Sequence, residues 1–70
     1  MRKMYPNLRA EMARKEVTLS MIAEHLGITL GTASLKFNGK NEWLFREVVE
    51  IKKFLGVSMP LEELFAKEAA

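Results

Sequence analysis

The chain has 70 residues, of which 49% are hydrophobic and 29% charged, with a formal net charge of +2. A chain of this length supports one small core, so we expect a single domain over residues 1–70. It contains no cysteine and one histidine, which excludes a disulfide framework and predicts no metal site and no cofactor. No apolar run reaches the roughly 18 residues of a membrane span, and the start has no leader-like apolar segment. The sequence therefore predicts a cytoplasmic protein that is not processed and does not enter a membrane.

The charge is distributed unevenly along the chain. Residues 1–56 hold ten Lys and Arg against six Glu, whereas residues 57–70 hold one Lys against three Glu, which gives +4 and −2. The first part is compatible with a polyanionic partner such as a nucleic acid. Five cations stand near the start, either as an arm that contacts a phosphate backbone or as a solvated helix face, and the sequence favours the second interpretation. They are Arg2, Lys3, Arg9, Arg14 and Lys15.

Prolines and glycines divide the chain into five segments of helical length. The first helix is predicted over residues 7–15, with Leu8 and Met12 four residues apart on one face. The second is predicted from a cap at Thr18 to a stop at Gly27. Its buried stripe consists of Ile22, Ala23 and Leu26.

A third helix is predicted to follow after a very short connection. Thr29 caps it, Ala33 and Phe37 form its inward face, and Asn38 and Gly39 end it. Two short helices joined by a glycine-containing turn form a helix-turn-helix, here over about residues 18–37. The second helix of such a pair can enter the major groove, because a helix with its side chains fills that groove.

The last two helices follow the same logic. The fourth is predicted over residues 44–55 and is expected to be the longest, with an apolar face of Val48, Ile51 and Leu55. The fifth begins at Pro60 and has Leu61, Leu64 and Phe65 on its apolar side. Because no strand pattern appears anywhere, the sequence predicts an all-α domain.

Three stretches carry a more specific pattern, over residues 18–28, 32–40 and 51–58. They contain an Ala-Glu-x-Leu-Gly-Ile core, an Asn-Gly-Lys after the third helix and a Leu-Gly-Val-Ser exit. In this order and spacing they resemble the Cro and lambda-repressor type (XRE-like) of helix-turn-helix regulators. Residues 36–40 followed by Trp43 are most similar to a phage-repressor subgroup. The resemblance implies a compact five-helix lambda-repressor-like DNA-binding domain.

The resemblance also implies a function. It is operator binding by the helix of residues 29–37, in a repressor-type transcriptional regulator of a phage or mobile element, with double-stranded DNA as partner. Such regulators usually act as homodimers, with half-sites roughly 10 base pairs apart. No catalysis is expected, because no set of nucleophile, base and acid occurs in a plausible order. The implied DNA-binding residues are Thr18, Leu19, Thr29, Leu30, Gly31, Thr32, Ser34, Leu35, Lys36, Asn38 and Lys40.

The chain departs from the family at several of these positions. Leu19 stands where the family often has a glutamine that bridges phosphate and the recognition helix, and Leu30, Gly31 and Leu35 stand where it tends to place polar base-contacting side chains. Leucine can contact thymine methyl groups and lysine can reach guanine N7 and O6. Leu44 replaces a capping threonine, which leaves the start of the fourth helix open.

Some candidates have a plainer interpretation. Lys36 and Lys40 are either phosphate contacts or solvated lysines. Thr29 acts as a cap, with or without a DNA contact. Asn38 either accommodates the left-handed turn after the third helix or contacts the DNA backbone. Trp43 is either a lid over the core, which the sequence favours, or an exposed interface anchor.

An alternative function is a protein-protein interaction module that has the same scaffold and little base-specific DNA binding. Its protein partner would contact an apolar patch of Leu19, Leu30 and Leu35, since exposed leucines gathered on one surface usually mark an interface. Dimerisation through the C-terminal segment is compatible with both functions. The candidate dimer residues are Met59, Leu61, Leu64 and Phe65.

Overall fold

A computed structural model describes residues 4–68 of the chain. In this range the chain forms five helices and no strand, so the predicted all-α class is confirmed. The fourth helix is the longest, with 11 residues, as predicted. Across residues 4–68, no helix has the length and apolar character needed to cross a membrane. The helices are α1 (Pro6–Lys15), α2 (Leu19–Leu26), α3 (Leu30–Phe37), α4 (Phe45–Leu55) and α5 (Leu61–Leu64).

The helix ends follow the predicted capping residues. The hydroxyls of Thr18 and Thr29 each accept a hydrogen bond, at 3.2 Å, from the backbone N–H three residues on. Gly27 ends α2 with a left-handed φ of 72° and Gly56 ends α4 with a φ of 69°. At the start of α4 the Leu44 N–H donates to Glu47 Oε1 at 2.9 Å. Glu47 alone therefore supplies the side-chain part of this cap, which places the first residue of α4 at Phe45.

The buried apolar residues form one cluster, and each of the five helices of residues 4–68 contributes at least one side chain to it. Of the predicted core, Leu26 is only partly buried and packs against the cluster, while Ile22, Phe37, Ile51 and Leu55 belong to it. The complete cluster is Tyr5, Leu8, Met12, Ile22, Phe37, Ile51, Leu55 and Leu64.

Leu64 is a correction to the predicted dimer interface. Its side chain is 0% exposed, because the single turn of α5 folds it into the core. It therefore has no surface to offer a second copy. Phe65 is partly buried and packs edge-on against both Tyr5 and Trp43, with ring centroids 6.1 Å apart in each pair. Met59 is partly buried against the same core.

The two terminal segments of the described chain meet beside this aromatic group. The Tyr5 N–H donates to the Lys67 carbonyl at 3.3 Å, and Lys67 Nζ lies 3.1 Å from Glu42 Oε2. Trp43 is partly buried and packs against the core, which agrees with its interpretation as a lid. These contacts of Tyr5 and Glu42 with Lys67 join the two terminal segments, and we call them the terminal latch.

Candidate nucleic-acid interface

The α2–α3 pair is joined by a connection of three residues, 27–29. The turn is closed by the Ile28 N–H, which donates to the Ala23 carbonyl at 3.0 Å. Helices α2 and α3 pack against each other more extensively than any other pair of helices among residues 4–68. Their relative position is therefore fixed by direct packing as well as by the short turn.

Helix α3 presents an uncovered outer side. Thr29, Leu30, Gly31 and Leu35 are all exposed, and we call these four residues the α3 outer face. Leu30 is 53% exposed and Leu35 47%, so both large apolar side chains are open to a partner. Four predicted DNA-binding residues are thus exposed on α3 and at its N-cap. Thr32 and Ser34 flank this face and are half-buried.

Lys36 lies on the opposite side of α3 and is a correction. Only 9% of the residue is exposed, and its ammonium donates to Glu47 of α4 in an ion pair. It also lies 5.8 Å from the centroid of the Trp43 ring. Lys36 stands between the inward residues Ala33 and Phe37, so helical spacing turns it toward the core. It is neither a solvated lysine nor an exposed phosphate contact.

Glu47 is the residue that sequence analysis did not connect with this site. Burial by itself raises the pKa of its carboxyl group, but hydrogen bonds from Lys36 and from the Leu44 N–H outweigh burial and lower the pKa below the usual 4.5. The carboxylate is therefore ionised at neutral pH. It joins the inward side of α3 to the first turn of α4.

The polar groups near α3 are largely occupied inside the protein. The Thr29 hydroxyl donates to the Thr32 hydroxyl at 2.9 Å, in addition to its role as a cap. The Asn38 amide donates to the Ser34 carbonyl at 2.9 Å. Asn38 has a φ of −96°, and the left-handed residue after α3 is Gly39, with a φ of 80°. Asn38 is thus not the left-handed residue of this turn.

The two DNA-binding residues predicted at the start of α2 also differ in exposure. Thr18 is exposed and caps the helix, whereas Leu19 is partly buried and packs against the core. Leu19 therefore does not belong to an exposed leucine patch, which corrects the predicted patch of Leu19, Leu30 and Leu35. Met21 is the exposed large apolar residue of α2, at 41%.

The α2–α3 pair carries little positive charge. Within residues 16–39 the formally charged side chains are Glu16, Glu24 and Lys36, and Lys36 is already neutralised by Glu47. The two glutamates are exposed. Lys40, in the turn after α3, is exposed and is the first positively charged residue after the helix. Its backbone N–H donates to the Leu35 carbonyl at 2.9 Å, which holds it close to the end of α3.

Of the cations near the start of the chain, Arg9 and Arg14 have separate contacts within the protein. The Arg9 guanidinium lies 4.1 Å from the centroid of the Phe37 ring, and its Nε donates to the Met4 carbonyl at 2.6 Å. Arg14 pairs with Glu11 at 3.2 Å. Arg2 and Lys3 lie outside the described residues. Arg9 is thus part of the packing behind α3, and neither of the two interpretations of this cluster applies to it.

His25 is exposed near the C-terminal end of α2, as expected. Its ring stacks on Phe54 at 4.5 Å, and its Nε2 lies 3.6 Å from Glu50 Oε2. This contact connects α2 to α4. With the Lys36–Glu47 pair, it means that both helices of the α2–α3 pair are held by polar groups on α4.

Comparisons with known proteins do not add a family to this description. No family model matches the chain, and no curated protein matches it. The chemistry of the α3 outer face is therefore the basis for assigning a function.

Proposed function

We propose that the protein is a sequence-specific DNA-binding transcriptional regulator of the lambda-repressor type, in which α2 and α3 act as a helix-turn-helix. The observation that carries the proposal is the uncovered outer face of α3 on a helix that packs against α2. Its inner side chains also contact α1 through Arg9 and Phe37 and α4 through Lys36 and Glu47. A helix with its side chains is roughly 10–12 Å across, which matches the roughly 12 Å width of the major groove. A supported helix with one uncovered side is suited to enter the groove.

Phosphate contacts in this proposal come from backbone amides and a few side chains. The first turn of every helix leaves N–H groups without partners in the helix, and such ends attract phosphate. Thr18 and Thr29 stand at the two helix starts concerned, and both are exposed. Lys40 adds a cation at the other end of α3. This set replaces the phosphate role that Lys36 was expected to have.

We propose a homodimer on a two-fold operator, as in phage repressors, with half-sites roughly 10 base pairs apart. The candidate interface is reduced to Met59, Leu61 and Phe65 after the removal of Leu64. Sedimentation of the protein with and without operator DNA tests the dimer. A monomer that protects a single half-site would contradict it.

The experiment for DNA binding is selection of bound duplexes from a randomised pool, followed by titration of the recovered sequence at two salt concentrations. We expect a two-fold motif. Lys40→Ala should weaken binding to all sequences alike and reduce the salt dependence by about one counterion. The matched control is Lys53→Ala, an exposed lysine at the C-terminal end of α4. Recovery of no motif would overturn the proposal.

A second candidate function is a protein-protein interaction module. The observation that favours it is that residues 16–39 expose Leu30, Leu35 and two glutamates, while their one lysine, Lys36, is paired with Glu47. A photo-crosslinking residue at position 35 separates the two functions in cells. Adducts with DNA support the regulator, whereas adducts with one protein and none with DNA support the interaction module.

A further inference from the structure

We infer that the α3 outer face recognises thymine methyl groups, with Leu30 and Leu35 as the residues that determine specificity. This inference rests on the proposed DNA-binding function and names the class of duplex that the same face prefers. It predicts half-sites with thymines at the positions that face these two leucines.

The first step is that the two long polar side chains of α3 and its C-cap, Lys36 and Asn38, are engaged within the protein. Lysine is a ligand for guanine, but Lys36 is buried against Glu47. Asparagine recognises adenine through its amide, but the Asn38 amide caps α3 through the Ser34 carbonyl. The hydroxyls of Thr29 and Thr32 are bonded to each other.

The second step is that hydrocarbon is what remains exposed. Leu30 and Leu35 are about half exposed, and five residues of helix separate them by roughly 7.5 Å along the axis. This distance corresponds to about two base-pair steps of roughly 3.4 Å. The C5-methyl group of thymine is the apolar feature of the major groove. Two leucines at this spacing fit two methyl groups that lie about two base-pair steps apart.

Gly31, between the two leucines, supports the same inference. A β-carbon built on Gly31 would meet no atom within 4 Å, and its φ is not in the left-handed region. The fold therefore does not require glycine here, although glycine weakens a helix interior. A missing side chain on an exposed face allows close approach of the helix backbone to another surface. Gly31→Ala should raise the melting temperature and weaken DNA binding.

The test replaces thymine by deoxyuridine in the selected duplex, which removes the methyl group and leaves base pairing unchanged. We expect roughly a fourfold loss of affinity for each methyl group that a leucine buries. Leu30→Ala and Leu35→Ala should each lose affinity for the thymine duplex, and neither should lose further affinity when the facing thymine is also replaced. Such non-additivity is the signature of a direct contact.

Two controls accompany this double-mutant cycle. Leu44→Ala removes a leucine of similar exposure outside α3, 51%, and should leave the ratio of thymine to deoxyuridine affinity unchanged. Thermal melting should show that the leucine variants remain folded, because exposed positions contribute little to stability.

The outcomes distinguish the inference from the function on which it rests. Recovery of no motif overturns both. A motif whose affinity is insensitive to deoxyuridine leaves the regulator intact and overturns methyl recognition. Sensitivity to deoxyuridine that both leucine variants retain in full overturns the assignment to Leu30 and Leu35.

Discussion

The two sides of α3 have opposite chemistry, and in the reverse of the usual sense. The inner side buries the ammonium of Lys36 beside Ala33 and Phe37, whereas the outer side leaves Leu30 and Leu35 about half exposed. A typical surface helix turns its leucines inward and its lysine outward. The buried Lys36 ammonium, paired with Glu47, is therefore part of the scaffold. The exposed side chains of Leu30 and Leu35 are available for binding.

The largest expected effect is the difference in unfolding free energy between two variants, Phe37→Ala and Leu35→Ala. Phe37 is in the core, so its loss should cost about 4 kcal/mol of unfolding free energy, much of the stability of a domain this small. Leu35→Ala should change stability by less than about 0.5 kcal/mol. Urea unfolding at neutral pH measures both. Equal losses would mean that Leu35 is as much a core residue as Phe37.

Glu47→Ala tests the buried ion pair and comes next in size. Removing the carboxylate leaves the Lys36 ammonium buried without a partner, which should cost about 3 kcal/mol. The double variant Lys36→Met with Glu47→Leu removes both charges and should recover most of the loss. If the double variant is as unstable as the single one, the pair does more than compensate its own burial.

The pH dependence of stability provides a smaller effect from the same pair. Because the pKa of Glu47 is lowered in the folded protein, its contribution is complete above the unfolded value of 4.5 and is lost as the pH falls through the folded value. Thermal melting from pH 7 to pH 2 should show this decline. Glu47→Gln should have a shallower decline, and an identical profile would exclude Glu47 as its source.

Gly31→Ala is the smallest expected effect. Since nothing obstructs a β-carbon at Gly31, alanine should stabilise the domain by about 0.5–1 kcal/mol. Gly39→Ala is the contrasting variant, because Gly39 has a φ of 80° and its β-carbon would lie 2.7 Å from Met4 Cε. It should destabilise the domain. A rise in melting temperature for Gly31→Ala and a fall for Gly39→Ala would confirm that the fold requires glycine only at position 39.

The sequence contains enough local information to predict the helices but not which side chains meet. Thr18, Thr29, Gly27 and Gly56 act on backbone groups within a few residues, so the helix ends could be predicted from their order alone. The buried pairing of Lys36 could not, because charged residues are almost always exposed unless paired. Its partner lies on the next helix, and only the folded arrangement of the chain brings the two side chains together.

Leu64 and Leu19 illustrate a second limit. An apolar residue on a short helix fits a core and an interface equally well from its spacing, and the choice depends on what the rest of the chain covers. In α5, one turn between Pro60 and Phe65 is enough to bury Leu64 completely. The exposed leucines of α3 are of the same residue type, but no other segment of residues 4–68 covers them.

The Lys36–Glu47 contact also has a consequence for the order of folding. Its partners are 11 residues apart in sequence, whereas Tyr5 and Lys67, which join the terminal segments, are 62 apart by their numbers. Loop closure makes the second contact more costly in chain entropy by roughly 1.5 kcal/mol. We therefore expect α3 and α4 to associate early in folding and the terminal latch to close last. The outer face of α3 is then oriented while the ends of the chain are still free.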